Sequence, residues 1–317
     1  RLPARAEKLV RKAVWNLSRH SAGLFLRFVT DAPEIHVAWE LTSSKLAMPH
    51  MAATGVSGVD LYARSDAGKW HWIGCGRPSA QKNTQRVVSG LPAGKREFLA
   101  YLPLYNGVKS VEIGVPKNKT FAKAKAWPTE QRKPIVFYGT SITQGACASR
   151  PGMAHTAILG RWLERPVINL GFSGNGTMEA EVAKLIAEID AALYVIDCLP
   201  NLKADAVTER TAPLVKILRK ARPKTPILLV EDRNYADGLL VRSKRERNRR
   251  SQAALRGAFE RLENAGVSRL YYLEGRKLLG EDGEDTVDSS HPTDLGFWRH
   301  AKAFREVIVP ILKKGES

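Results

Sequence analysis

An apolar run, Ile135-Val136-Phe137-Tyr138, ends at Gly139 and leads at once into Thr140-Ser141, with Gly145 four residues further on. β-branched and aromatic residues in succession read as a buried strand, and the bracketing glycines read as a tight strand-to-helix turn that exposes Ser141 at the carboxyl edge of a sheet. Open parallel sheets place their chemistry on that edge, so Ser141 is a candidate nucleophile. A serine hydroxyl is weakly nucleophilic at neutral pH and needs a base, an orienting acid and donors for an oxyanion. Asp288-Ser289-Ser290-His291 supplies the first two, because three-residue spacing on one turn brings the carboxylate under the imidazole. His155 and His300 are weaker candidates for the base: His155 falls within a predicted helix, and no acid stands three residues before His300. Two further segments follow apolar runs, Gly171-Phe172-Ser173-Gly174-Asn175-Gly176 and Asp197-Cys198-Leu199-Pro200-Asn201. Three of the four segments follow predicted strands and the fourth precedes the last predicted helix, so all four can converge on one sheet edge.

The elements that must position them fall into two groups. Residues 24–30, 35–41, 59–63, 70–75, 85–88, 97–102 and 110–115 alternate as short strands, which predicts an antiparallel β-sandwich. Asp31-Ala32-Pro33-Glu34 and Pro92-Ala93-Gly94-Lys95 read as connecting turns. A polar, proline-punctuated stretch follows, with Pro116, Trp127-Pro128 and Lys133-Pro134, and it places a boundary near residue 127, between domains 1–127 and 128–317. Beyond it the period becomes strand then helix. Strands are predicted at 135–139, 167–170, 193–196, 227–230 and 270–273, and helices at 153–163, 178–189, 208–222, 244–265 and from 295, giving a parallel sheet covered on both faces. Ser243-Lys244-Arg245-Glu246 reads as a capping box opening the fourth of these helices.

In this order the four segments resemble the four blocks of the SGNH (GDSL-like) hydrolases. The resemblance implies an α/β flavodoxin-like domain with a five-stranded parallel sheet. It also implies Ser141 as nucleophile, Asp288 and His291 completing a triad, and an oxyanion hole from Ser141 N–H, Gly174 N–H and the Asn201 amide. Upstream, Gly58-Val59-Asp60-Leu61-Tyr62 resembles the GxDLY signature of an N-terminal β domain carried by a subset of these esterases, which implies a jelly-roll-like sandwich. Two blocks depart from the family pattern: Gly139-Thr140-Ser141 stands where Gly-Asp-Ser is usual, and Leu199-Pro200-Asn201-Leu202 where Gly-x-Asn-Asp is usual. Members with the β domain resemble carbohydrate esterases, so an acylated carbohydrate is the implied substrate, and a periplasmic or secreted location is implied with it. Trp70, Trp72 and Tyr62 are candidate sugar platforms, core packing being the plainer reading. Arg150, Arg233 and Tyr235, after the first block and the fourth α/β strand, are candidate contacts for an acidic sugar, with ordinary ion pairing as the alternative. A lipid or thioester hydrolase of the same fold, or a basic acidic-glycan-binding protein, remain open as other readings.

Composition narrows the partners. Fifty Lys and Arg against 32 Asp and Glu leave +18, which suits a polyanion (an acidic polysaccharide, an anionic envelope surface or nucleic acid) and equally well the plain solubility of a basic surface. No nucleic-acid-binding motif or regular basic-aromatic interleaving accompanies the charge, so no nucleic-acid partner is expected. The densest basic run, Arg242 to Arg250, holds six Lys or Arg and reads as a solvated helix face or an anion-binding rim. Cys75, Cys147 and Cys198 fit neither a zinc pattern nor a disulfide framework; free thiols, no metal and no cofactor are expected. No apolar run approaches the roughly 20 residues of a membrane helix, and no signal-type apolar core follows Arg1. Oligomeric state is left open.

Overall fold

The computed structural model describes residues 1–316. After helix α1 (Lys12–Ser18), seven strands and a short helix build the first domain: β1 (Phe25–Thr30), β2 (Glu34–Leu41), α2 (Ala53–Ser57), β3 (Val59–Arg64), β4 (Trp70–Gly76), β5 (Lys82–Ser89), β6 (Arg96–Tyr101) and β7 (Val108–Gly114). An eighth strand, β8 (Phe121–Lys123), closes it, and the strands form two antiparallel sheets, β4-β3-β6-β1-β8 and β5-β2-β7. Strand β2 alternates strictly, with Ile35, Val37, Trp39 and Leu41 buried against Leu61, Phe98 and Ala100 of the facing sheet. That period of two is what lets one face fill the core while the other stays wet.

The second domain continues with β9 (Ile135–Gly139), α3 (Ser141–Gln144), α4 (His155–Trp162), β10 (Val167–Gly171), α5 (Ala180–Ala187), β11 (Leu193–Asp197) and α6 (Ala204–Ala221). It ends with β12 (Ile227–Val230), α7 (Arg242–Asn264), β13 (Leu270–Leu273) and α8 (Asp294–Glu316). Its sheet is wholly parallel in the order β10-β9-β11-β12-β13, the flavodoxin-like arrangement. Both faces are covered, which explains the unbroken apolar strands. Val136, Tyr138, Tyr194 and Ile196 pack under α5, α6 and α7, whereas Ile135, Phe137, Leu193 and Val195 pack under α4 and α8. Leu2, Ala6, Val10 and Val14 also join the first of these layers, so the opening segment of the chain packs on the second domain.

Several local expectations are corrected. Strand β8 lies in the stretch read as linker; its three residues are all exposed and show no alternation. Helix α5 starts at Ala180 because Met178 has φ 56°, outside the helical region. The capping box is not formed: α7 begins at Arg242 with Val241 at its cap, and Ser243 already lies inside the helix. Lys244 and Arg245 N–H donate to the Val241 carbonyl as the first bonds of the helix itself, and Glu246 pairs with Arg249 instead of reaching back to Ser243.

Candidate active site

Strand β9 delivers Ser141 to the first turn of α3. Thr140, in place of the family's usual Asp, is its N-cap: its hydroxyl oxygen accepts from Ile142 N–H at 3.3 Å. Ser141 Oγ lies 2.8 Å from His291 Nε2, and His291 Nδ1 lies 2.8 Å from Asp288 Oδ2. These three residues come from opposite ends of the domain. The loop that carries Asp288 and His291 is not a helical turn but a closed bend, pinched by the Thr286–Pro292 bridge, with Ser289 at φ 72°. Asp288 Oδ1 accepts the N–H groups of Ser290 and His291 at 3.0 and 2.8 Å, so one carboxylate shapes the loop and orients the imidazole. Partial burial pushes the Asp288 carboxyl up, but the His291 N–H, the imidazole and the Ser290 N–H outweigh this and hold it below the ordinary carboxylate value. An imidazole so held can accept the serine proton at Nε2 while its Nδ1–H stays fixed.

The other two blocks flank the serine. Gly171 at the end of β10 and Asp197 at the end of β11 are both in register with Gly139 of β9. β9 and β11 are the strands at which the chain order of the sheet reverses, where α/β ligand sites form. Gly174 adopts φ 67°, and a Cβ there would meet nothing, so backbone conformation rather than space calls for glycine. Gly176 is the opposite case, since a Cβ would lie 2.0 Å from the Gly139 carbonyl. Asn201 Oδ1 accepts from Gly176 N–H at 3.2 Å, which locks the carboxamide and leaves its Nδ2–H donors as the presented end.

Residues outside the motifs bind the blocks together. Gln144 is fully buried; its Oε1 accepts from Ser173 N–H at 3.1 Å, and its Nε2 donates to the Leu104 carbonyl at 3.1 Å. From the β domain, Tyr105 OH donates to the Ser141 carbonyl at 3.2 Å and His50 lies ring to ring with His291 at 5.9 Å. Polar residues in a sequence give no sign of which polar atoms they will meet, so these were missed.

The three candidate substrate contacts are placed differently. Arg150 donates to Asp60 Oδ2 at 2.8 Å and to Tyr62 OH at 2.5 Å, and Asp60 also accepts from Gly152 N–H at 2.8 Å and Trp72 Nε1 at 2.7 Å. The acid of the GxDLY stretch therefore anchors the loop that follows the nucleophile, and Arg150 is its partner. Tyr62 is buried and offers no sugar platform. Arg233 is 1% exposed, so it cannot meet substrate at the surface. Its guanidinium pairs with Asp232, donates to the Ser290 carbonyl at 3.0 Å and binds the Ser290 hydroxyl, bracing the His291 loop from beneath. Tyr235 is half-buried under Arg233 and Arg247, with ring distances of 5.1 and 5.4 Å. His155 is buried in the core beside Phe297 and Phe304, and neither of its ring nitrogens has a hydrogen-bond partner.

Residues 132–309 match the family model described as the GDSL-like lipase/acylhydrolase family, and residues 1–121 match the N-terminal GxDLY model of SGNH-hydrolase-type esterases. The chain belongs to the GDSL-like lipase/acylhydrolase family. A GDSL-like lipase structure from Bacteroides ovatus is 38% identical, with a TM-score of 0.93 over 99% of this chain and 91% of that one. A salicylyl-acyltransferase from a tetracycline biosynthetic pathway is 20% identical, with a TM-score of 0.73 over 98% and 89%. A family two carbohydrate esterase from Clostridium thermocellum, solved with cellohexaose, is 15% identical, with a TM-score of 0.65 over 93% and 94%. Among curated proteins no match is found. By family this GDSL-like chain is an esterase, and no described helix is long and apolar enough to cross a membrane.

One buried acid of the site has a consequence for stability. Burial raises the Asp197 carboxyl to about 7, opposed by the Thr143 hydroxyl at 2.9 Å and by Arg233. The same group titrates near pH ~4 in an unfolded chain. Between those values the native protein holds a proton that the unfolded chain has released, so this group's contribution to stability falls as pH rises from about 4 to about 7. Asp197→Asn keeps an acceptor for Thr143 without the titration. Relative to wild type, it is expected to gain on the order of 2–4 kcal/mol between pH ~4 and pH ~8 in urea unfolding. A stability difference independent of pH would show that Asp197 is ionised throughout.

Proposed function

We propose that this chain is a serine esterase that removes acetyl or another short acyl group from a carbohydrate. The observation that carries the reading is the line from Ser141 Oγ through His291 to Asp288, with 2.8 Å at each link. In the first step Ser141 Oγ attacks the ester carbonyl as His291 Nε2 takes its proton. The tetrahedral oxyanion is held by the N–H groups of Ser141 and Gly174 and by the Asn201 amide, a type of stabilisation for which each donor typically contributes about a hundred- to a thousandfold in rate. Collapse expels the sugar oxygen, which receives the proton from His291. Water, deprotonated by the same imidazole, then releases the acid and restores Ser141.

The carbohydrate half of the reading draws on the full-length likeness to a family two carbohydrate esterase, and the charge of +18 suits an acidic polysaccharide. Ser141 is only 7% exposed, which favours a small acyl group. The division at residue 127 belongs to the same proposal, since β8 ends at Lys123 and β9 opens at Ile135. Hydrolysis of p-nitrophenyl acetate, butyrate and octanoate, together with acetate release from acetylated polysaccharides, tests the proposal. We expect kcat/KM to fall steeply with chain length; a preference for octanoate would replace the carbohydrate reading with a lipid or thioester hydrolase.

A further inference from the structure

The segment joining β12 to α7 carries the most exposed large apolar side chains among the described residues. Leu239 is 80% and Leu240 87% exposed, whereas the next, Leu9, is 53% exposed. Val241 beside them is 37% exposed. The segment is built rather than frayed. It runs through a 3-10 turn, Ala236–Leu239, and the N–H groups of Leu240 and Val241 donate to the Asp237 carbonyl at 3.1 and 2.8 Å. Arg245 donates to the Leu239 carbonyl at 2.9 Å, and the Lys244 ammonium pairs with Asp237. The result is an aliphatic finger exposed to water, a costly arrangement unless something apolar receives it.

The finger leads directly into the basic run. Arg242, Arg245 and Arg249 are exposed and fall on one stripe of α7 at helical spacing, with Arg250 exposed beside them. Lys244 and Arg247 on the neighbouring stripe are paired with Asp237 and Asp232, and Arg249 and Arg250 share the single carboxylate of Glu246, which leaves the stripe with an excess of positive charge. From Ala236 to Arg250 six basic residues face two acidic ones, Asp237 and Glu246. Next to the finger a cavity of about 470 Å³ is lined by Leu239, Arg245, Arg249 and Arg276, against Glu281 and an Asp285 that is paired with Arg299. Aliphatic tip, arginine stripe and arginine-lined hollow together match the acyl region and the anionic head groups of a lipid surface. A soluble polysaccharide offers no phase for leucines, and a second copy of this chain would bring like charge against like.

We infer that residues 236–250 dock the protein on an anionic lipid bilayer, with Leu239, Leu240 and Val241 entering the acyl boundary and the arginine stripe lying over the head groups. The finger is tied to the His291 loop, since Ala236 N–H donates to the Ser289 carbonyl at 3.1 Å and the Ser289 hydroxyl binds Asp237. Docking therefore holds the candidate active site beside the membrane surface. The inference goes beyond the esterase reading and uses none of its catalytic groups, so the two fail separately.

Vesicle co-sedimentation of the full chain tests it, with phosphatidylcholine alone and with phosphatidylcholine and phosphatidylglycerol at about 7:3. Binding is expected to the anionic vesicles only, weakened at least about tenfold by the double substitution Leu239→Ser/Leu240→Ser and by Arg242→Glu/Arg250→Glu. Dextran sulfate, a soluble polyanion, should bind wild type and the leucine variant equally, and p-nitrophenyl acetate hydrolysis by the leucine variant should stay within about twofold of wild type, which serves as the check on folding. Equal vesicle binding by wild type and the leucine variant would overturn the inference, as would absence of any preference for anionic vesicles. Loss of dextran sulfate binding by the leucine variant in parallel with its vesicle binding would also overturn it, by showing that the leucines do not act through a lipid phase.

Discussion

Replacing Ser141 by alanine is expected to lower kcat on p-nitrophenyl acetate by about 10⁴- to 10⁶-fold, with the fold intact. The hydroxyl has one side-chain partner, His291 Nε2, and the Ser141 backbone keeps its helical bonds and the Tyr105 contact whatever the side chain. Alanine thus removes the proposed attacking atom while leaving the proposed oxyanion donors, and stability should change by less than about 1 kcal/mol. Activity above about one-hundredth of wild type in a purified variant of normal unfolding midpoint would remove Ser141 from the proposed mechanism.

The second large effect is expected at Asp288. Its Oδ1 is committed to the N–H groups of Ser290 and His291, and Oδ2 alone faces His291 Nδ1. In Asp288→Asn the carbonyl oxygen must stay with the two backbone donors, which turns the amide NH2 toward Nδ1. The imidazole then carries its proton on Nε2 and cannot accept one from Ser141. A fall in kcat of about 10³- to 10⁴-fold is expected, with KM little changed. Asp288→Ala should behave differently, since it releases the loop as well, and its KM should rise with the loss of kcat. If Asp288→Asn kept more than about a tenth of wild-type kcat, the tautomer argument would fail and the carboxylate would serve only to shape the loop.

How much of this was legible depended on range. The five parallel strands announced themselves because burial on both faces demands continuous apolar runs, and the observed bounds 135–139, 227–230 and 270–273 are those expected. Strand β2 was legible for the opposite reason, its alternation of wet and dry positions. Strand β8 was silent because an exposed edge of three residues has no pattern to show. The start of α7 misled because a capping box and a helix entered from a backbone turn can be written with the same residues.

At the site, Ser141, Asp288 and His291 stood out because each sits in a short local signal: a strand ending at glycine, and an acid three residues before a histidine. Their meeting is a matter of topology, which the strand order 2-1-3-4-5 brings about at the reversal between β9 and β11. Arg150 and Arg233 show what no local pattern contains. An arginine's charge is the same letter whether it reaches for substrate or is spent inside, and only the positions of Asp60, Asp232 and Ser290 decide. Local pattern sufficed for every strand but β8, for most helices, for the two-part organisation and for the family. Burial, the direction each polar group faces and the exposure of the Leu239-Leu240 finger were decided by tertiary structure, because they depend on atoms that are distant along the chain and near only after folding.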